Sequence, residues 1–338
     1  DLWLGHRLYG VDGSKINLPA PLLKEGYSKP QPNSHYPQGL LSSCYQLKAK
    51  IPHDFDLVSH GNERLCALAH LKTLRPNDVC VYDRGYFSYA LLSLHIDADV
   101  FPIFRLKKNS GKVIDEFMES NEVDKIVTIV PTKARQREII KDFPCMKFTP
   151  KRLRLIKYTI GENSYTIGTT LVGAPYTIAA LKEVYHSRWG IEELYKISKK
   201  LIEVDDFHGK SERGVKQELF SHFVLITMSR YCAGASESLL KSLLNLSDDN
   251  EEIVDDNIEG EGEIKIKPRI QVNFKNILAT VARQLEEILY APSTRINHIM
   301  ANLVRSVARY YYKSRDGRHY TRESKQPAKQ WNQRASSA

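Results

Sequence analysis

The chain has 338 residues, 42% hydrophobic and 26% charged, which is length enough for one large domain or two ordinary ones and the composition of a globular protein with a buried core. No apolar run approaches the roughly 20 residues of a membrane span, which excludes a membrane partner of that kind. The net charge of +9 is segregated: residues 248–263 hold nine acids and no Lys or Arg, so the rest carries twice the formal excess, and residues 305–334 hold nine Lys and Arg against Asp316 and Glu323. A basic body of this kind fits a nucleic-acid partner.

The opening DLWLGHRLYG reads as core and not as a signal peptide, and without an initiator Met it predicts a fragment or a processed form. Residues 6–18 read as a strand with Asp12 in its middle, 22–37 as a loop, and 38–50 and 52–59 as two more strands completing an antiparallel meander. Asn62 can cap a helix running to about Leu74, with Leu65, Leu68, Ala69 and Leu71 inward. DVCVY at 78–82 is continuously apolar, as in a strand buried on both faces, and ends at Asp83-Arg84-Gly85. A short helix at 88–95 and a strand at 100–106 follow. Residues 107–177 contain KIVTIV, RLRLIKYTI and SYTIGTTLV and read as an all-β insertion. After a helical, apolar 215–246, residues 248–271 read as an acidic linker. Residues 272–338 form a helical C-terminal region, broken near Pro292 and ending in a basic, tyrosine-containing tail. Cys44, Cys66, Cys80, Cys145 and Cys232 make no C-x2-C pair, which argues against zinc and for a reducing, cytoplasmic compartment.

The stretch 185–199, YHSRWGIEELYKISK, reads as one helix. At about 100° per residue, Tyr185, Arg188, Glu192 and Lys199 share an arc of roughly 60°. Val184, Ile191, Leu194 and Leu201 fill the adjoining arc, which suits packing on a core. An acid between cations on a packed helix suits a metal-dependent site acting on a polyanion. Two further acids stand out. Asp12 is mid-strand, a poor place for an unpartnered charge, and Asp83 ends an apolar strand, where functional groups of α/β sheets gather. The plainer alternatives are a turn at Asp12-Gly13-Ser14 and a strand-end cap at Asp83. Asp54, Asp56, Asp205 and Asp206 rank lower, and His186 reads as structural.

The spacing Y-x2-R-x3-E-x6-K, with Trp189 after the Arg and the Glu192-Glu193 pair, resembles the Y-R-E-K signature of DDE transposases of the insertion-sequence 4 type, bacterial enzymes with an RNase H-like core. The resemblance implies an α/β fold: an RNase H-like mixed sheet flanked by helices, built from residues 1–106 and 178–247, with the β-rich insertion between its fifth strand and the Glu192 helix. It implies Asp12, Asp83 and Glu192 as the catalytic acids, holding Mg²⁺ (Mn²⁺ as substitute), and Tyr185, Arg188 and Lys199 as DNA contacts; Trp189 can join them by stacking on a base, with a core or rim aromatic as the plainer reading. The implied activity is cut-and-paste transposition, with transposon-end cleavage, a possible hairpin, and strand transfer into target DNA. The implied partners are double-stranded DNA and a second copy of the chain in a synaptic homodimer. Two departures stand against the pattern. Residues 101–178 lack the Trp that hairpin-forming relatives use to stack a flipped base, leaving Phe143, Phe148, Tyr158, Tyr165 or Tyr176 to replace it. Only eleven residues precede Asp12, so end recognition is expected to be weakened or missing in this chain. The alternatives are an RNase H-like nuclease without strand transfer and a non-catalytic DNA-binding descendant of a transposase.

Overall fold

The computed structural model describes residues 2–59, 61–201, 206–244 and 269–314. The chain forms two compact units, Asp1–Tyr231 and Cys232–Ala338. Most of the acidic stretch at 248–271 and nearly all of the basic tail lie outside the described residues.

The first unit is built on one eight-stranded mixed sheet. Strands β1 (Leu8–Asn17), β2 (Gln38–Gln46) and β3 (Ile51–Val58) form the expected antiparallel meander. Strands β4 (Val79–Tyr82) and β5 (Phe101–Arg105) lie parallel to β1, which therefore sits between β2 and β4. All four residues of β4 are fully buried, as its unbroken apolar run requires of a strand covered on both faces. Helix α1 (Glu63–Leu71) links β3 to β4, and its Asn62 cap accepts the Arg64 and Leu65 amides. Helix α2 (Tyr89–Asp97) links β4 to β5, with Ser88 accepting the Leu91 amide at 3.1 Å.

The inward face of α1 differs from the expected one. Cys66, Ala67, His70 and Leu71 are buried, whereas Leu65 and Ala69 are exposed and the helix stops at Leu71. A histidine can occupy an inward position because both ring nitrogens are satisfied, Nδ1 on Asp54 Oδ2 at 2.6 Å and Nε2 on Ser42 Oγ at 3.0 Å.

Residues 107–177 are not all β, and they do not fold apart from the sheet. They contain α3 (Lys112–Glu119), β6 (Asp124–Ile129), α4 (Lys133–Asp142), β7 (Lys151–Ile160) and β8 (Asn163–Thr169). KVIDEFME spaces Ile114 and Phe117 one turn apart and buries both, and KARQREIIKD is rich in helix formers and buries none of its residues. β8 pairs antiparallel with the free edge of β5 through Ile103–Thr169 and Arg105–Ile167, giving the order β3-β2-β1-β4-β5-β8-β7-β6. Leu153 and Leu155 of β7 join Val11, Tyr82 and Phe104 in one hydrophobic cluster.

The expected single helix over 185–199 is two helices, α5 (Ile178–Ser187) and α6 (Trp189–Leu201). The break is slight: Arg188 keeps right-handed helical angles, but the Arg188 and Ile191 amides bond three residues back. Helix α7 (Glu212–Leu243) follows, and the division between the two units falls within it. In the second unit α8 (Phe274–Tyr290) and α9 (Ser293–Ala308) meet at Pro292, and β9 (Arg269–Val272) pairs antiparallel with β10 (Tyr311–Ser314). No described helix is long and apolar enough to cross a membrane.

Candidate active site

The site forms where the parallel strands end. Gly10 of β1 pairs with Val81 of β4, so Asp12 and Asp83 each lie two residues beyond that pair on neighbouring strands. Tyr82 of β4 pairs with Phe104 of β5, which brings Arg105 level with Asp83. β1 continues past the end of β4, so the Asp12 side chain keeps some access to solvent although its backbone is inside the sheet. The Gly13 amide donates to Asp12 Oδ1 at 2.9 Å.

Helices α5 and α6 supply the rest. Arg188 is 4% exposed. Its Nη2 donates to Glu192 Oε1 at 2.9 Å, and its Nη1 lies 3.6 Å from Asp12 Oδ2. Tyr185, 1% exposed, donates its hydroxyl to Asp83 Oδ1 at 3.1 Å. Arg188 thus bridges two of the expected acids, Asp12 and Glu192, and Tyr185 holds the third, Asp83, through a separate contact. Lys199 Nζ donates to Ser14 Oγ at 2.8 Å and to the Lys15 carbonyl at 2.7 Å, fastening α6 to β1 two residues past Asp12. Trp189 is 63% exposed and belongs to no core. Tyr185 and Arg188, in the stripe beside the core-facing one, are themselves buried against the acids. Period alone locates such a stripe but not the height of the strand ends it meets.

Electrostatics follow from this packing. Burial, reinforced by the Glu63 and Asp83 charges, pushes the Asp12 carboxyl up to about 6, although the Gly13 amide and Arg188 offset part of the rise. Burial works against the Arg188 cation, but the Asp83, Tyr185, Asp12 and Glu192 groups outweigh it and raise its pKa. Burial, with the Asp83 charge, also raises the Tyr185 phenol.

Two contributors escaped the sequence. Arg105 Nη1 lies 3.8 Å from Asp83 Oδ1 and donates to the Tyr185 hydroxyl at 3.5 Å, with its guanidinium 4.6 Å over the Tyr165 ring. Its signal was its place at the end of β5, the same one that marked Asp83. Tyr195 donates its hydroxyl to the Asp12 carbonyl at 2.7 Å and locks α6 onto β1; nothing in its spacing announced that. Beside Arg105, Tyr158 and Tyr165 face each other across β7 and β8 with parallel rings 5.3 Å apart, and His186 stands edge-on to both.

A family model described as the transposase DDE domain matches residues 3–228. The chain belongs to this family. The match spans all eight strands of the sheet and the helices bearing Tyr185, Arg188, Glu192 and Lys199. Among solved structures, the chain is similar to a piggyBac transposase in a synaptic complex with hairpin DNA, with 10% identity and a TM-score of 0.43, over 88% of this chain. The chain spans 57% of the length of that transposase. No curated protein matches it at a significant level.

Members of the transposase DDE domain family generally use divalent metal ions, and the donor chemistry here suits one. Asp12, Asp83 and Glu192 offer only carboxylate oxygens, the preference of Mg²⁺ and Mn²⁺. The guanidinium of Arg188 lies against Asp12 and Glu192 and that of Arg105 near Asp83, so cations already stand beside all three acids. Among the described residues, no three His, Cys, Asp or Glu side chains are grouped closely enough to hold an ion directly. Arg188 stands between Asp12 and Glu192 in the arrangement observed.

Proposed function

We propose that this transposase DDE domain is a cut-and-paste enzyme of the insertion-sequence 4 type with an RNase H-like core. It cleaves transposon-end DNA and joins the freed 3′-hydroxyl to target DNA. The observation that carries the proposal is the Arg188 bridge between Asp12 and Glu192, 180 residues apart, with Tyr185 of the same helical set bonded to Asp83. Asp12, Asp83 and Glu192 are the residues that would hold Mg²⁺, which when bound strengthens the attacking oxygen and stabilises charge on the leaving one.

The chain's own groups do the positioning. Tyr185 fixes the rotamer of Asp83, and Arg188 holds Asp12 and Glu192 on either side of its guanidinium and offsets part of the rise in the Asp12 carboxyl. Arg105, laid flat on Tyr165, offers a planar cation to a phosphate at the strand ends. Lys199 adds charge where α6 meets β1, and exposed Trp189 is free to stack on a base. The Tyr158–Tyr165 pair supplies the aromatic surface that a hairpin step needs in place of a tryptophan. Two ends must be joined in one event, so the active form on DNA is a homodimer.

Cleavage of labelled end DNA by Asp12→Asn, Asp83→Asn and Glu192→Gln tests the proposal. Each is expected to lose cleavage by several orders of magnitude while staying folded; wild-type cleavage by any one removes that residue from the site. A pre-cleaved end then separates a transposase, which joins it to target DNA, from a nuclease, which does not.

A further inference from the structure

Glu63 is the first residue of α1, directly after the Asn62 cap. A methyl group on Gly13 would stand 3.2 Å from Glu63 Oε1, and one on Gly85 would stand 3.8 Å from Oε2. Gly13 follows Asp12 and Gly85 lies two residues past Asp83, so the two glycines leave room for a helix-borne carboxylate beside both acids. The charges agree with that placement. After burial, the Asp83 charge is the largest cause raising the Glu63 carboxyl, and Glu63 in turn raises Asp12. Among the described residues the Glu63 carboxylate makes no hydrogen bond or ion pair, and only Lys15 offsets its charge.

A second observation points to a ligand in the same space. Tyr86 is 1% exposed, and its hydroxyl is buried with no hydrogen-bond partner among the described residues. The Tyr86 amide donates to the Asp83 carbonyl at 3.2 Å, which places the residue in the turn after that acid, and burial and then the charges of Asp12 and Glu63 hold its phenol protonated. Buried tyrosine hydroxyls usually find a partner, and an orphan one beside acids marks a place for an ordered polar ligand. Neither acid accepts from it directly.

We propose, building on the function proposed above, that Glu63 is a fourth acid of the reaction centre, which with Asp12 and the Tyr86 hydroxyl grips the water shell of a divalent cation. Tyr86 would donate a hydrogen bond to a water of that shell, and Asp12 and Glu63 would accept hydrogen bonds from it. Mg²⁺ keeps several of its waters and takes only one or two carboxylates, so the acids need not close tightly on the ion. Glu63 is then a positioning residue, acting through metal-bound water.

Calorimetric titration of the 338-residue chain with Mn²⁺ tests this, together with thermal unfolding of each variant with and without Mn²⁺. Glu63→Gln is expected to weaken Mn²⁺ binding about tenfold or more, as outer-shell substitutions do, and to shrink the Mn²⁺-induced rise in unfolding midpoint. Tyr86→Phe is expected to weaken binding by a smaller factor, and Glu63→Asp to retain part of it. Wild-type affinity in Glu63→Gln, beside weakened binding in Glu192→Gln, overturns the fourth acid and leaves the proposed function standing. If Asp12→Asn and Glu192→Gln also bind Mn²⁺ like wild type, the proposed function falls as well. An equal drop in midpoint with and without Mn²⁺, at unchanged affinity, makes Glu63 purely structural and also overturns the inference.

Discussion

Tyr185 donates its hydroxyl to Asp83 Oδ1 at 3.1 Å, tying α5 to the residue that ends β4. The phenol is buried, so water cannot fully replace the bond when it is lost. Tyr185→Phe is expected to cost about 0.5–1.5 kcal/mol of stability, read by urea unfolding, because Arg105 still faces the freed carboxylate. The larger effect is expected on cleavage of end DNA, since Asp83 loses the contact that sets its rotamer. Full cleavage by the phenylalanine variant would show that Asp83 does not need it.

Arg188 is the counter-charge of the site. Removing one partner of a buried ion pair typically costs about 3–5 kcal/mol. Glu192 and Asp12 keep partial access to water, so Arg188→Ala is expected near the lower end, about 3 kcal/mol by chemical unfolding. The double variant Arg188→Ala, Glu192→Gln is expected to lose less than the sum of the two single losses, because the second change removes a charge the first left unpaired. Strict additivity would mean that the 2.9 Å contact between them contributes nothing.

Beneath β4 and β5, His95 is fully buried, with Nδ1–H donating to the Leu91 carbonyl at 2.8 Å and Nε2 accepting from the Tyr82 hydroxyl at 3.1 Å. Burial is the main cause that lowers its pKa to about 4. The unfolded chain therefore binds a proton that the folded one refuses. The stability this residue contributes is complete above pH about 6.5 and is lost as pH falls toward about 4, a total of about 3 kcal/mol. His95→Asn is expected to be less stable at pH 7 but to show a flatter decline, so the gap to wild type closes between pH 7 and 4. A gap that is constant with pH would contradict a buried neutral imidazole.

Gly13 and Gly85 both flank the acids, but they differ in free space. A methyl on Gly13 would meet Leu40 Cδ1 at 2.8 Å as well as the Glu63 carboxylate, whereas nothing stands closer than 3.8 Å at Gly85. Gly13→Ala is expected to cost about 1–3 kcal/mol through overpacking. Gly85→Ala is expected to be neutral or slightly stabilising by restricting the unfolded chain, on the order of 0.5 kcal/mol. Unfolding midpoints of the two variants decide this; equal losses would remove the steric argument.

The order of elements through β5 was legible because each rests on a local signal. Alternation marks β1 to β3, an unbroken apolar run marks β4, and Asn62 and Ser88 cap the helices they precede. The nature of residues 107–177 was misread for a local reason too. β-rich segments dominate the composition, and the short helix α3 buries only Ile114 and Phe117. That β8 closes onto β5 had no signal at all, since the pairing of residues as distant as Ile103 and Thr169 leaves no trace in either segment.

By itself the sequence determined which groups could do chemistry: Asp12 within a strand, Asp83 at the end of another, and Tyr185, Arg188, Glu192 and Lys199 at helical spacing. Period and propensity are properties of neighbours along the chain, and these features need nothing more. Only the tertiary structure decided that Tyr185 and Arg188 turn inward to the acids, that Arg105 stands level with Asp83, and that the Glu63 carboxylate lies against Gly13 and Gly85. Those relations depend on strand register and on how far each helix slides over the sheet, and distant side chains set both by packing together.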